Sequence, residues 1–296
     1  MDIGFVTTGL LIGLREGVEA ALIVAIILAY LAKTGNTRHF GRIWLGTAAA
    51  AAVSLAIGSI LFVTIGGLQE PAEQIFEASA MLLAAGVVTW MLFWMRRTAA
   101  NLRGELHAAV DRSLTDGRVW GLTVLAFTAV IREGIETSLF LLGQLQAASS
   151  AEAGAVSVLI GASLGLIAAM GIGYAFYRGA QVINLRTFFR WTGVALIFIA
   201  AGLVSHAVHE LVEIGVITIG AATAFDLSAV LPHEGDGLLA VIGSILRALF
   251  GYTSTPEWIT LIVWLGYVVT VLALYLRPVR PAEATSSSPE RTPAST

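Results

Sequence analysis

The residues best suited to chemistry form two copies of a short charged motif, each inside a long apolar run. One copy is Arg15-Glu16-Gly17-Val18-Glu19, and the other, 117 residues later, is Arg132-Glu133-Gly134-Ile135-Glu136. Because residues three or four apart share one face of a helix, the two carboxylates of each copy point the same way, with the arginine beside them. Carboxylate oxygens are hard ligands that suit Mg, Ca, Mn or iron. The two copies together therefore predict a site for a metal cation.

Charge near the centre of a bilayer is costly, and by default it marks an ion path or site. Two arginines offset half of four carboxylates, and the remaining charge of about −2 suits a divalent cation or, with proton rearrangement, a trivalent one. The alternative is that each Arg–Glu–Glu set is a self-satisfied ion pair that only locks helices together, but the doubled motif favours the metal site. The predicted metal ligands are Glu16, Glu19, Glu133 and Glu136, supported by Arg15 and Arg132.

A second group of polar residues lies where a later apolar run ends, on the side that the charge distribution assigns to the outside. Imidazole and carboxylate together suit iron, so this group is a candidate entry path. An interfacial helix end in water explains the same residues equally well. Glu77, about a turn inside another run, joins the same path. The candidate entry-path residues are Glu77, His206, His209, Glu210 and Glu213.

The composition places the chain in a membrane. Of its 296 residues, 57% are hydrophobic and 12% are charged, whereas about 25% of the residues of a soluble domain are charged. The net charge of −3 and the lack of a basic stripe argue against nucleic acid as a partner. The chain has no cysteine, which excludes disulfides, thiolate metal sites and cysteine nucleophiles.

Seven apolar runs are long enough to cross a bilayer as helices, which requires about 20 residues each. The connections on one side of the membrane contain 14 lysines and arginines, and the opposite side contains only Arg247. The positive-inside rule therefore places the N-terminus outside and the C-terminus in the cytoplasm. No cleavable signal peptide is expected, since the start lacks basic residues. The predicted spans are residues 5–31, 43–65, 72–95, 119–147, 155–177, 188–213 and 257–276.

The first six spans are two copies of a three-helix unit. Besides the charged motif, Ala85-Gly86 resembles Ala201-Gly202 and Gly46 matches Gly161, at offsets of 115 to 117. Three is odd, so the second copy enters the membrane from the opposite side, and inverted repeats of this kind place their site near the midplane. We expect an all-α membrane protein of seven transmembrane helices. Its permease domain is 1–277, with repeat one at about 5–95, repeat two at about 119–213, an outer loop at 214–256 and helix seven at 257–276.

Three further segments do not span the membrane. The charge-rich connection at 96–118 is cytoplasmic and is predicted to be partly helical. In the outer loop, residues 238–250 have apolar residues at helical spacing and are expected to lie on the membrane surface. The tail at 278–296 is rich in Pro, Ser, Thr and Ala and is predicted to be a disordered cytoplasmic segment.

The doubled Arg-Glu-Gly-x-Glu motif in a seven-helix protein resembles the oxidase-dependent iron permease family, which includes the fungal high-affinity iron permease and the membrane subunit of a bacterial iron uptake system. The resemblance covers residues 1–276, and His209-Glu210-Leu211 is similar to bacterial members. It implies iron as the substrate, the two motifs as its binding residues, and an extracytoplasmic partner that oxidises or delivers iron. Fungal members carry an acidic motif in an outer loop that this chain does not match, so handover by that route is not implied.

We therefore predict a permease of the bacterial inner membrane that moves Fe2+ or Fe3+ into the cytoplasm. Iron is its transported substrate, and no permanently bound cofactor is expected. One alternative keeps the transporter class and changes the ion to manganese, lead or another divalent metal. Another is an intramembrane metal-dependent enzyme, since Glu/His clusters also suit catalysis, although no His-Glu-x-x-His motif supports it. A membrane scaffold is the third, and the cost of burying four repeated carboxylates argues against it.

Overall fold

A computed structural model describes residues 2–65, 72–98, 102–115, 120–148, 153–179, 184–232 and 237–277. These residues form nine α-helices and a short 3-10 helix at Thr37–His39, and they contain no strand beyond one isolated β-bridge between Thr223 and Glu257. This part of the chain is therefore all-α. The α-helices are α1 (Ile3–Lys33), α2 (Phe40–Ile65), α3 (Ala72–Thr98), α4 (Leu102–Thr115), α5 (Gly121–Ala147), α6 (Gly154–Tyr177), α7 (Leu185–Glu213), α8 (Leu238–Phe250) and α9 (Trp258–Leu276).

Each of the seven predicted spans corresponds to a helix, with ends that differ by a few residues. The matching helices are α1, α2, α3, α5, α6, α7 and α9. α1 begins before the predicted start because the Asp2 side chain caps it, accepting a hydrogen bond from the backbone N–H of Phe5. The two connecting helices are also present, as α4 and α8. The predicted tail at 278–296 lies outside the described residues.

Among the residues that the structure describes, five helices are long and apolar enough to cross a membrane, namely α2, α3, α6, α7 and α9. α1 and α5 are not among these five, since the charged motif lies in the middle of each. Large apolar side chains such as Leu55, Val63 and Ile167 point outward from α2 and α6. Such surfaces are unfavourable in water and are typical of contact with lipid. The chain is therefore a multi-pass membrane protein.

Two helix pairs meet through small residues. α1 packs along α6 and α2 packs along α5, and in both pairs the contacting residue numbers rise together, so the paired helices run parallel. A Cβ atom at Gly161 of α6 would collide with the backbone of Val6 and Leu10 in α1. Glycine therefore permits the close backbone approach that small residues provide between membrane helices. α3 packs against α7 and α7 against α9, which completes the bundle.

The two shorter helices pack at opposite ends of α1. Ser244 of α8 donates a hydrogen bond to Asp2, just before α1 begins. Leu238 lies on the outward side of α8, so one face of this helix is packed on the bundle and the other is exposed. Near the far end of α1, Tyr30 donates a hydrogen bond to Asp111 of α4 at 2.7 Å. Both short helices thus belong to the packed structure.

Candidate metal site

The first motif lies in the middle of α1 and is almost completely buried. Arg15 is 2% exposed, Glu16 1% and Glu19 4%. Arg15 Nη1 donates a hydrogen bond to Glu16 Oε1 at 2.5 Å. Arg15 Nη2 lies 3.1 Å from Glu19 Oε1, in an ion pair that lacks hydrogen-bond geometry. Residues four apart on a helix are neighbours, so one guanidinium reaches both carboxylates and offsets only part of their charge.

The second motif, on α5, has the same internal contacts in a different environment. Arg132 Nη2 lies 2.9 Å from Glu133 Oε1, and Arg132 Nε lies 3.3 Å from Glu136 Oε1. Glu133 and Glu136 are buried, whereas 38% of the Arg132 side chain is exposed. The two copies therefore differ in how far the arginine is enclosed by protein.

The structure brings three of the four predicted ligands together. One carboxylate oxygen from each of Glu16, Glu19 and Glu133 lies within 4.8 Å of the other two. A small hard cation that binds oxygen at about 2.1 Å places opposite ligands about 4.2 Å apart, so a small movement would close these oxygens around one ion. Glu136 lies outside this group, beside Arg132. Within the described residues, no other three His, Asp or Glu side chains approach one another this closely.

Each motif glutamate has at least one buried oxygen without a hydrogen-bond partner. These atoms are the Oε2 oxygens of Glu16, Glu19, Glu133 and Glu136 and, in addition, Oε1 of Glu19. A buried charged oxygen without a partner is unfavourable, and a cation would provide what the two arginines do not. The arrangement is therefore not a set of self-satisfied ion pairs, and it has the oxygen donors that a hard cation requires.

Two residues of α3 that the sequence pattern did not single out contact the arginines. Arg15 Nη1 donates to Met91 Sδ at 2.9 Å, and Arg132 Cζ lies 3.9 Å from the centre of the Trp94 ring. A thioether sulfur is a weak acceptor, and an aromatic face attracts a guanidinium. Sequence reasoning missed both residues because methionine and tryptophan are ordinary apolar members of a membrane span.

The candidate entry-path residues have different partners in the structure. His209 lies between two carboxylates, with Nδ1 2.7 Å from Glu257 Oε1 and Nε2 3.5 Å from Glu213 Oε1. His206 Nδ1 instead lies 3.1 Å from the backbone carbonyl oxygen of Gly202. Glu257 comes just before α9 and was not predicted as part of the path. Glu210, one residue further along α7, lies close enough to His209 and Glu213 to interact electrostatically with both, so the structure brings these three predicted residues together.

The five candidate entry-path residues come from two helices, α3 and α7. Glu77 on α3 and Glu210 on α7 are partly buried. His206 lines a small cavity together with Gln144 of α5 and Arg247 of α8. The cavity is thus separate from the ion pair of His209 with Glu213, although all of these α7 residues lie within its last two turns.

Comparison with known proteins gives matches over almost the whole chain. Residues 7–277 match the family model described as Iron permease FTR1 family. A ferrous iron permease EfeU of Escherichia coli is 37% identical over 279 residues, which cover 94% of this chain and 97% of that protein. The ferrous iron permease EfeU of Yersinia pestis is 35% identical over 272 residues, which cover 91% and 93%. No solved structure matches the chain significantly.

Proposed function

The chain belongs to the Iron permease FTR1 family, and from that premise we propose that it moves iron ions across the plasma membrane into the cytoplasm. The relatives are named as permeases, so the chain is a transporter and not an enzyme. Iron is then its transported substrate, and a permanently bound cofactor is not required. The relatives' names specify ferrous iron, which makes Fe2+ the first ion to test and Fe3+ the alternative.

The observation that carries the proposal is the meeting of buried carboxylates from two helices at one point. Glu16 and Glu19 of α1 and Glu133 of α5 offer oxygens within 4.8 Å of one another. Inside a membrane such a cluster needs further positive charge. We propose that these three residues bind iron with Glu136 as the fourth ligand. Arg15 and Arg132 would limit repulsion among the carboxylates when no ion is present.

Contacts related by the internal offset support two inverted three-helix repeats. A Cβ at Gly17 of α1 would meet Ala169 of α6, and a Cβ at Gly134 of α5 would meet Ser54 of α2. Gly134 follows Gly17 by 117 residues and Ser54 precedes Ala169 by 115, so the second contact is the repeat of the first. Two more contact pairs have this relation, Gly161–Val6 with Gly46–Thr123 and Gly173–Ala21 with Gly58–Ser138.

The directions of the helices support the proposed topology. α1 and α6 run parallel, as do α2 and α5. Successive transmembrane helices run in opposite directions. α1 is therefore parallel to α6, and α2 to α5, if α1, α2, α3, α5 and α6 all cross the membrane and α4 does not. We propose seven transmembrane helices, with the N-terminus outside and α4 in the cytoplasm. The permease domain would be 1–277, built from repeats at about 5–95 and 119–213, and followed by a cytoplasmic tail at 278–296.

We propose that iron approaches from outside past the end of α7. His209 Nε2 and Glu213 Oε1 are 3.5 Å apart, and one ion about 2.1 Å from each would bridge them. Glu257 would accept a hydrogen bond from the Nδ1–H of His209 and leave Nε2 free for metal, as carboxylates near metal-binding histidines do. An extracytoplasmic protein that oxidises or delivers iron would act at this end. The other residues of the proposed path are Glu77, His206 and Glu210.

The proposal is tested by uptake of radioactive iron into proteoliposomes that contain the purified full chain. Ascorbate keeps iron ferrous in one set and is omitted from the other. We expect Glu19→Gln and Glu136→Gln to abolish uptake, because each removes a charged ligand while preserving side-chain size. Glu105→Gln, an exposed residue of α4, is the matched control and should transport like the unmodified chain.

These experiments test the identity of the transported ion and the identity of its binding residues independently. Uptake in only one redox condition assigns the transported oxidation state. Normal uptake by both Glu19→Gln and Glu136→Gln would rule out the carboxylate site. Strong inhibition of iron uptake by an excess of manganese or lead, together with uptake of the competing ion, would instead identify a general divalent-metal permease.

A further inference from the structure

We infer that Met91 and Trp94 of α3 are positioning residues, which set the iron affinity of the carboxylate site by holding its two arginines in place. The inference rests on the proposed iron site. It concerns residues that do not themselves bind the ion and that lie one turn apart on a helix carrying neither motif.

The two contacts share one helix but use different chemistry. Met91 is completely buried, and its sulfur accepts from the same Arg15 Nη1 that donates to Glu16. Trp94 presents its ring face to the Arg132 guanidinium at 3.9 Å. A thioether sulfur is a weak hydrogen-bond acceptor, and the attraction of a guanidinium to an aromatic face is stronger where water is excluded. α3 therefore anchors both guanidinium groups from outside the carboxylate cluster.

Anchoring matters because a guanidinium and an iron ion compete for the same oxygens. A free arginine tends to form a fork with both oxygens of a carboxylate. Here each arginine contacts one oxygen of each of its glutamates, and the Oε2 atoms stay without a hydrogen bond. A guanidinium released from α3 could turn to cover those Oε2 atoms. The anchors thus keep ligand oxygens available to iron.

The anchoring also breaks the internal symmetry of the two repeats. At the offset of 116 residues that relates α3 to α7, Met91 corresponds to Ala207 and Trp94 to Glu210. Neither alanine nor glutamate can act as a thioether or aromatic anchor. Both arginines are therefore held by the first repeat, including Arg132, which belongs to the second. If the second repeat had copied the contacts of the first, α3 would hold Arg15 and α7 would hold Arg132.

Methionine substitutions provide the first test. Met91→Leu keeps nearly the same volume and removes the sulfur acceptor, and we expect the Kd for Fe2+ of the purified full chain to rise about three- to tenfold. The KM for uptake should rise similarly, with Vmax unchanged. Met81→Leu is the matched control, since Met81 is a buried methionine of the same helix that packs in the apolar core. Equal Kd values for the two variants would overturn the role of Met91.

The tryptophan test uses a double-variant cycle. Trp94→Leu should raise the Kd for Fe2+ about three- to tenfold, while Trp94→Phe, which keeps an aromatic face, should stay close to the unmodified chain. In an Arg132→Gln background, Trp94→Leu should have no further effect, because the group that it anchors is absent. An equal effect in both backgrounds would show that Trp94 acts through packing and would overturn the inference.

The cycle also separates this inference from the proposed function. If Glu19→Gln binds Fe2+ normally, the carboxylate site itself is wrong. If Glu19→Gln loses binding while Met91→Leu and Trp94→Leu bind like the unmodified chain, only the positioning role is wrong. Thermal unfolding of every variant in detergent shows whether a change in Kd comes from a folded protein.

Discussion

The arginines of the two motifs, Arg15 and Arg132, lie in different surroundings. Arg15 is enclosed by protein and contacts two carboxylates and a sulfur, whereas the Arg132 side chain is 38% exposed and lies on an aromatic face. Removing one partner from a buried ion pair leaves an uncompensated charge, which is far more costly than losing an exposed pair. The α1 copy is therefore the more completely enclosed half of the proposed site. We propose that the α5 copy, with Glu136 apart from the cluster, is the half that rearranges when an ion binds.

A prediction at the residue scale concerns the outer end of α7. We expect His209→Ala to raise the KM for iron uptake about tenfold and to leave Vmax and the Kd of the carboxylate site unchanged, because it removes an entry ligand only. Glu257→Gln should change KM in the same direction, since it weakens the orientation of the His209 ring. The measurement is concentration-dependent uptake into proteoliposomes.

The control for this prediction is another histidine of the same protein. His107 stacks on Tyr30 at the α4 end of α1, so His107→Ala should leave the KM unchanged. A KM for His209→Ala equal to that of His107→Ala would remove the outer residues from the proposed path.

Glycine residues set how closely α1 and α6 pack against each other. Gly9, Gly13 and Gly17 follow one face of α1 and lie against the backbone or small side chains of α6. Without bulky side chains, the two backbones come close enough for dispersion and weak hydrogen bonds to hold them, as expected in lipid, where no hydrophobic force drives helices together. This packing places α1, and with it Glu16 and Glu19, at a defined rotation beside α5.

The prediction at this scale uses two glycines of α6. Gly161→Ala would press a methyl group into the backbone of Val6, and we expect a loss of about 1–3 kcal/mol in the free energy of unfolding. Gly171 has no atom within 4 Å of a Cβ position, so Gly171→Ala should change stability by less than about 0.5 kcal/mol. Thermal unfolding in detergent compares them, and identical melting of the two variants would contradict close packing of α1 on α6.

In the part of the chain that the structure describes, two parallel helix pairs, α1 with α6 and α2 with α5, contact each other through α1 and α5, and α3 packs on α7. In the proposed topology, the helices that carry the two motifs enter the membrane from opposite sides and meet at one place. An inverted repeat supplies two related conformations of one fold, which is the usual basis of alternating access in transporters. If the proposed permease works in this way, its orientation in the membrane sets which conformation opens to the outside.

The orientation of the whole molecule in the membrane can be tested by labelling single introduced cysteines. The chain has no cysteine of its own, so the unmodified protein does not react with the label. Thr37 and Ala229 are both exposed and lie at the proposed cytoplasmic and outer sides. We expect a membrane-impermeant maleimide added to intact cells to label Ala229→Cys at once and Thr37→Cys only after permeabilisation. Labelling in the opposite order would reverse the proposed orientation.

Local patterns in the sequence determined much of this protein. The apolar runs predicted the positions of seven helices, because helix formation in a membrane depends on the length and apolarity of a contiguous segment. The doubled motif indicated the iron permease family, which the match over residues 7–277 confirms. The positions of both motifs on their helices and the i, i+4 contacts of Arg15 and Arg132 also followed from helical periodicity.

Contacts between helices were decided only by the tertiary structure. The separation of Glu136 from the other three carboxylates, the anchors Met91 and Trp94, and the pairing of His209 with Glu257 all depend on the rotation and tilt of one helix against another. Met91 is 76 residues from Arg15, and nothing in its neighbours distinguishes it from other apolar residues of α3. Periodicity shows which residues share a face of one helix, whereas the partner of that face is set by close packing of the whole bundle.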